Sequence, residues 1–184
     1  MDQQQFYHGS SNRTFDGFTI YANNYEYSNL RAWLNGYNGS TYSVSDYSNS
    51  GFLNTAFSDS EKAKIETTTV DNSVASTGYS PNPYVCGDTQ DKIFILSYSE
   101  AKNSSYGLDS AKGRISKATD YASARGYSVE YYWLRSPSSV SDDCAGYVYY
   151  DGYFSSYNDD SIRNDIRVDY GEEGVRPAFR IKIS

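Results

Sequence analysis

A chain of 184 residues suits one domain with its own core, and its net charge of −7 excludes a nucleic-acid backbone or an anionic membrane surface as partner, because either would be repelled at long range. Tyrosine supplies 21 residues against 8 Phe and 2 Trp, so most of the aromatic mass carries a polar tip and tolerates half-burial. Two cysteines, Cys86 and Cys144, with no CxxC spacing and His8 as the single histidine, exclude a structural zinc site.

Residues 1–17 read as an irregular polar lead-in, with a short strand at 18–21. Leu30, Trp33 and Leu34 fall at helical spacing and Gly36 stands where a helix stops, which predicts a first helix in SNLRAWLNG. After a Ser/Tyr/Asn loop at 37–51, the apolar set Phe52, Leu53, Ala56 and Phe57 leads into Ser58-Asp-Ser-Glu61. That is a capping-box pattern, and the second helix is expected to run to about Ile65. A strand is expected at 67–70, a long loop at 71–89 around Pro81 and Pro83, and a strand in KIFIL at 92–96. Ser97 and Glu100 repeat the S-x-x-E cap before a short helix or turn, and residues 116–125 read as a helical turn closed by Gly126.

Beyond Gly126 the chain reads as β, with strands at 131–136, 145–150, 162–168 and 175–183. Helices early and strands late predict an α+β domain. If the runs YYWLRSP and GVRPAFRIKI are neighbouring strands, the polar insert between them leaves the core and returns, a surface on a rigid base. Alternation along 145–150 points Val148 and Tyr150 inward, Tyr147 and Tyr149 outward. The same rule makes 175–183 a half-buried terminal strand, with Phe179, Ile181 and Ile183 on its covered face. Trp33 and Trp133 read as core anchors. Arg135 and Arg176 either bind an anion or, the reading favoured here, fix loops to the sheet by pairing with Asp143, Asp165 or Glu130.

Tyr147, Tyr149, Tyr150, Tyr153 and Tyr157 are interleaved with Asp151, Gly152, Ser155, Ser156 and Asn158. This is the composition of an antibody combining surface, where tyrosine gives contact area at low entropy cost and small polar residues adapt. The candidate binding residues are Ser139, Ser141, Asp142, Tyr147, Tyr149, Asp151, Tyr153, Ser155, Ser156, Tyr157, Asp159, Ser161 and Asn164, facing a protein or glycan ligand. No catalytic residue, metal ligand or cofactor is expected. A Ser/His or Cys/His pair would need His8, and no spacing singles out two of the acids. No run of about 18 apolar residues exists, so no membrane insertion is expected. The opening MDQQQFYHGS lacks the basic and apolar regions of an export signal. Cys86 and Cys144 can form one disulfide in an oxidising compartment, although a domain of this size does not require it.

In this order, SNLRAWLN, GFLNTAFSDSEKAKI, DKIFILSYSEA, YYWLRSP and GVRPAFRI resemble a bacterial surface-protein domain of C-type lectin fold. That group is related to formylglycine-generating enzymes and to the variable proteins of diversity-generating retroelements. The resemblance spans about 28–183 and implies one domain with two short helices, a small antiparallel sheet and long irregular loops. It also implies a monomer displayed on a cell surface or virion, or secreted within a larger assembly. The usual Trp-containing strand before the first helix has only the region 15–21 to match it. The Glu-Pro-Asn, Gln-Pro-Asp and Trp-Asn-Asp triplets of calcium-dependent lectins are absent, and neither cysteine lies in the copper motif of the enzymes.

Residues 136–171 contain no Met, Trp, Lys, Gln or Glu, the five types that an adenine-randomised A-A-pyrimidine codon cannot produce. Residues 34–60 lack the same five, so an ordinary polar loop edge explains the composition equally well. A display protein diversified by a retroelement is the reading adopted. A calcium-dependent carbohydrate-binding module and a structural module of a larger surface protein are the alternatives.

Overall fold

A computed structural model describes residues 9–38, 45–126, 131–153, 166–171 and 173–183. Asp16 and Gly17 take φ of 46° and 82°, the positive pair that a two-residue hairpin turn needs. They join β1 (Arg13–Phe15) to β2 (Phe18–Ile20), with Phe15 opposite Phe18. The lead-in expected to be irregular is therefore a hairpin from Arg13 onward, and Asp-Gly is its signal in the sequence.

Helix α1 (Asn29–Asn35) forms where the spacing predicts it: Ser28 Oγ accepts the Arg31 amide at 3.1 Å, and Gly36 closes the end at φ 67°. The capping box opens the expected second helix, which ends at Lys62 short of Ile65, and a further short helix precedes it. Phe57 is extended between α2 (Phe52–Ala56) and α3 (Asp59–Lys62), because Ser58 must itself be extended to cap α3, its amide donating to the Glu61 carboxylate at 2.8 Å. After β3 (Thr68–Val70), the expected loop contains the one-turn helix α4 (Val74–Thr77) and returns to β4 (Thr89–Asp91), antiparallel to β3.

KIFIL does not become a strand. Lys92 and Ile93 both donate their amides to Asn35 Oδ1 at 3.0 Å, and Asn35 Nδ2 reaches the Ile93 carbonyl at 2.8 Å. Phe94 exchanges backbone bonds with Ala178 at 3.0 and 2.7 Å, and the Leu96 carbonyl takes the Arg135 amide at 2.9 Å. The segment is satisfied by one side chain and two separate partners, so no continuous ladder is left for it.

Ser97 and Glu100 bond to each other's amides and open a 3₁₀ turn at Glu100–Lys102. One-turn helices α5 (Ala111–Arg114) and α6 (Asp120–Ser123) follow. The largest sheet is antiparallel, ordered β5 (Tyr132–Pro137), β6 (Cys144–Val148), β7 (Ile166–Arg167). Both faces of β5 and β6 are covered. Trp133 and Tyr147 join Leu30, Leu34, Ile93 and Ile95 on one side, while Tyr132, Leu134 and Val148 pack with Ala101 on the other. This is why YYWLRSP carries no apolar/polar alternation. Trp33 and Trp133 are the expected anchors, 8% and 0% exposed, and truncating such a side chain costs about 3–5 kcal/mol.

The run 175–183 departs most from expectation. Its backbone makes no ladder with β5: Gly174, just before it, forms a parallel bridge to Tyr132, and the run then touches Phe94 at Ala178 and Ile65 at Ile181. Pro177 has no amide to continue a ladder, and the segment follows edges instead of covering the core. Phe179, Ile181 and Ile183 are accordingly 42%, 59% and 95% exposed. The fold is α+β, with small antiparallel sheets and short helices. Among the described residues no helix is long and apolar enough to cross a membrane.

A tyrosine-lined turn as the candidate functional site

Strand β6 ends at Val148 because Asp151-Gly152 turns the chain. Gly152 donates to the Tyr149 carbonyl at 2.9 Å, the Tyr149 amide donates to the Tyr153 carbonyl at 2.7 Å, and Asp151 Oδ1 accepts the Tyr153 amide at 3.0 Å. Gly152 sits at φ 81°, the left-handed position of a three-residue hairpin loop. A Cβ there would collide with the Ala111 carbonyl, so the turn lies directly on α5.

Arg114, at the end of α5 and 6% exposed, fixes this contact: its Nε donates to the Gly152 carbonyl at 2.7 Å and its Nη1 to the Leu108 carbonyl at 2.9 Å. Its own carbonyl takes the Tyr132 hydroxyl at 3.0 Å, linking the turn to β5. Arginine suits the position because its fork reaches two carbonyls that would otherwise be buried without donors.

Four rings gather above this base. Tyr131 stands edge-on to Tyr149 and Tyr150, with centroids 4.9 and 6.0 Å apart, and Tyr147 lies 5.5 Å from Tyr149. The cluster grades outward. Tyr147 is 7% exposed, Tyr149 is half-buried, and Tyr150 and Tyr153 are 51% and 58% exposed. This corrects two orientations expected from alternation: Tyr147 is core, and Tyr150 faces solvent because the turn has already begun there. Asp151 is exposed beside them.

The other half of the expected face lies elsewhere. Ser139, Ser141 and Asp142 belong to the loop joining β5 to β6, at the opposite end of a five-residue strand that spans about 16 Å. The polar groups of two of them are engaged: Ser141 Oγ donates to the Asp143 carboxylate, Asn12 Nδ2 donates to Asp142 Oδ2 at 2.6 Å, and buried Asn23 donates to the Ser141 and Asp142 carbonyls at 2.8 and 3.0 Å. Ser141 and Asp142 are thus tied into the loop by these bonds. Ser155, Ser156, Tyr157, Asp159, Ser161 and Asn164 fall outside the described residues.

Arg135 keeps the structural role expected of it, and Arg176 is anchored through one nitrogen; of their expected partners, Glu130 and Asp165 lie outside the described residues. Arg135 pairs with Glu100 and donates to Asn72 Oδ1 at 3.1 Å and to the Ile95 and Asp71 carbonyls at 2.7 and 3.0 Å. Arg176 donates through Nη1 to the Arg114 carbonyl and the Tyr132 hydroxyl, at 3.1 and 3.0 Å. Asp143 faces Arg167 instead, at 3.9 Å. Cys86 and Cys144 are not joined in a disulfide in this structure. Burial pushes the Cys86 thiol up to about 11. Among the described residues no group of three or more His, Cys, Asp or Glu could hold a metal ion.

Sequence reasoning misses Arg114 because no periodicity ties a basic residue to a turn 38 positions downstream. It misses the part of Tyr131, which reads as the first residue of a strand. A model of the domain of unknown function DUF6273 matches residues 7–183. No curated protein matches the chain, and no solved structure does.

Proposed function

The chain belongs to the DUF6273 family, and from that starting point we propose that it is a non-enzymatic ligand-binding protein, a display surface of C-type lectin fold whose tyrosine turn contacts a protein or glycan. The observation that carries this reading is the pairing of exposed rings with a fixed base. Tyr150 and Tyr153 stand out from a turn whose backbone is held from below by buried Arg114. Rings presented in this way lose little freedom on binding, so their burial translates efficiently into affinity.

The contact surface is Tyr149, Tyr150, Asp151 and Tyr153, with Tyr131 beneath them, continuing in sequence toward Ser155, Ser156, Tyr157, Asp159, Ser161 and Asn164. Tyr147, Ser141 and Asp142 support it without touching ligand. Diversification by a retroelement fits the composition of 136–171, with one restriction. Residues 136–138 and 144–148, Gly152 and Val168 are buried within that range, so variation without loss of fold is confined to the exposed positions between them.

The test is a screen of the immobilised full chain against arrays of glycans and cell-surface proteins, repeated with Tyr150→Ser/Tyr153→Ser. Removing two central aromatic contacts should weaken a specific ligand at least about tenfold. A ligand held equally well by the double variant places recognition somewhere else.

A further inference from the structure

A separate cleft of about 280 Å³ opens between the Phe94–Ala178 bridge and the turns that follow Glu100. Its walls are aromatic and aliphatic, from Phe94, Tyr106, Leu108 and Phe179, and two arginines, Arg176 and Arg180, line it as well. Glu100 is the one carboxylate in the lining, and it is already committed, pairing with Arg135 and accepting the Ser97 amide at 2.8 Å. Among the described residues neither Arg176 nor Arg180 has an ion-pair partner. In a chain of net charge −7, a cleft lined by two arginines and one committed carboxylate carries a local charge opposite in sign to that of the whole.

Arg176 is also held in place. Its guanidinium lies 5.3 Å above the buried Tyr132 ring, and its Nη1 is engaged by the Arg114 carbonyl and the Tyr132 hydroxyl. With one nitrogen fixed and the plane set by the ring, the rest of the fork is oriented in advance for a planar anion.

We propose that this cleft binds a small monocarboxylate bearing an aromatic ring, the carboxylate on Arg176 and Arg180 and the ring between Phe94, Leu108 and Phe179. The volume lies just below the range that holds drug-sized ligands, which limits the body to about one ring. A monoanion suits the site better than a phosphate dianion, because the acidic molecule repels each added negative charge and apolar walls would desolvate it without compensation. The inference does not rest on the reading of the tyrosine turn.

Isotope-labelled full-length chain titrated with benzoate, benzamide and inorganic phosphate, followed by amide resonances, tests it. Benzoate is expected to shift Phe94, Leu108, Arg176 and Phe179 saturably, with benzamide at least about tenfold weaker and phosphate without a saturable shift. Arg180→Gln, at an exposed position, should weaken benzoate at least about threefold while leaving the melting temperature unchanged. Arg176→Gln/Arg180→Gln should abolish binding. Equal binding of benzamide, preferential binding of phosphate, shifts confined to other residues, or benzoate affinity unaltered by Arg180→Gln would each overturn the proposal.

Discussion

Asn23, Asn35, Asn72 and Asn82 are each 8% exposed or less, and each gives its side chain to a backbone group at least 15 residues away. Asn23 holds the β5–β6 loop, Asn35 holds residues 92–93, Asn72 joins the Gly87 carbonyl to Arg135, and Asn82 takes the Pro137 carbonyl. A carboxamide donates and accepts as a peptide group does, so these four replace ladder bonds that the short strands cannot supply. From sequence, asparagine signals loops, and a bond across 58 positions leaves no period to read. This is the physical reason that KIFIL reads as a strand and is not one. Cys86 offers a test at the same scale. Its folded thiol titrates at about 11 against an ordinary 9.0, so the proton is held more tightly in the folded chain. The associated stability is fully present below pH 9 and is lost as pH rises through about 11. Melting curves at pH 7, 9, 10 and 11 should show a smaller alkaline decline for Cys86→Ala than for the parent chain. Identical declines would remove Cys86 from the account.

At the scale of elements, helix signals were local and therefore legible. Ser28 and Gly36 bound α1 where they stand in the sequence, and the Ser58 to Glu61 spacing marks α3. Strand signals were legible for β2, β3, β5 and β6 and for the end of the 162–168 run that forms β7, but their pairing was not, because partners lie far off in the chain. Residues 174–183 have the composition of a strand but meet three different segments in single bridges. The turn after β6 was the most readable part of the candidate site, since Asp151-Gly152 announces it, and taking that pair at face value would have turned Tyr150 outward. Gly152 is the element's critical residue. Gly152→Ala combines a left-handed backbone at φ 81° with a Cβ against the Ala111 carbonyl, which should cost more than about 2 kcal/mol. A thermal melt should fall by at least about 5 °C. An unchanged melt would mean that the turn does not rest on α5.

For the whole molecule, the sheets are small, and β5 carries a core cluster on each of its faces. Trp133 belongs to the cluster on one face, Tyr132 and Leu134 to the cluster on the other, and Arg135 ties residues 71–72, 95 and 100 to the same strand. Coarse architecture was legible because it follows from where apolar residues concentrate. The split of the expected binding face into two ends of β6 was not, because composition records which residues are polar and not which already have partners. Ser141 and Asp142 look identical in sequence to residues without intramolecular bonds, and only the folded positions of Asn12, Asn23 and Asp143 show where they are engaged.

The central claim is that the outer tyrosines are carried by the fold and do not hold it up. Thermal unfolding of Tyr150→Ser/Tyr153→Ser beside Tyr147→Ser measures this directly. The exposed pair should leave the midpoint within about 2 °C of the parent chain, while Tyr147, 7% exposed, should cost about 3 kcal/mol and lower it by about 6–12 °C. A comparable collapse in the double variant would make those rings part of the framework and contradict the account.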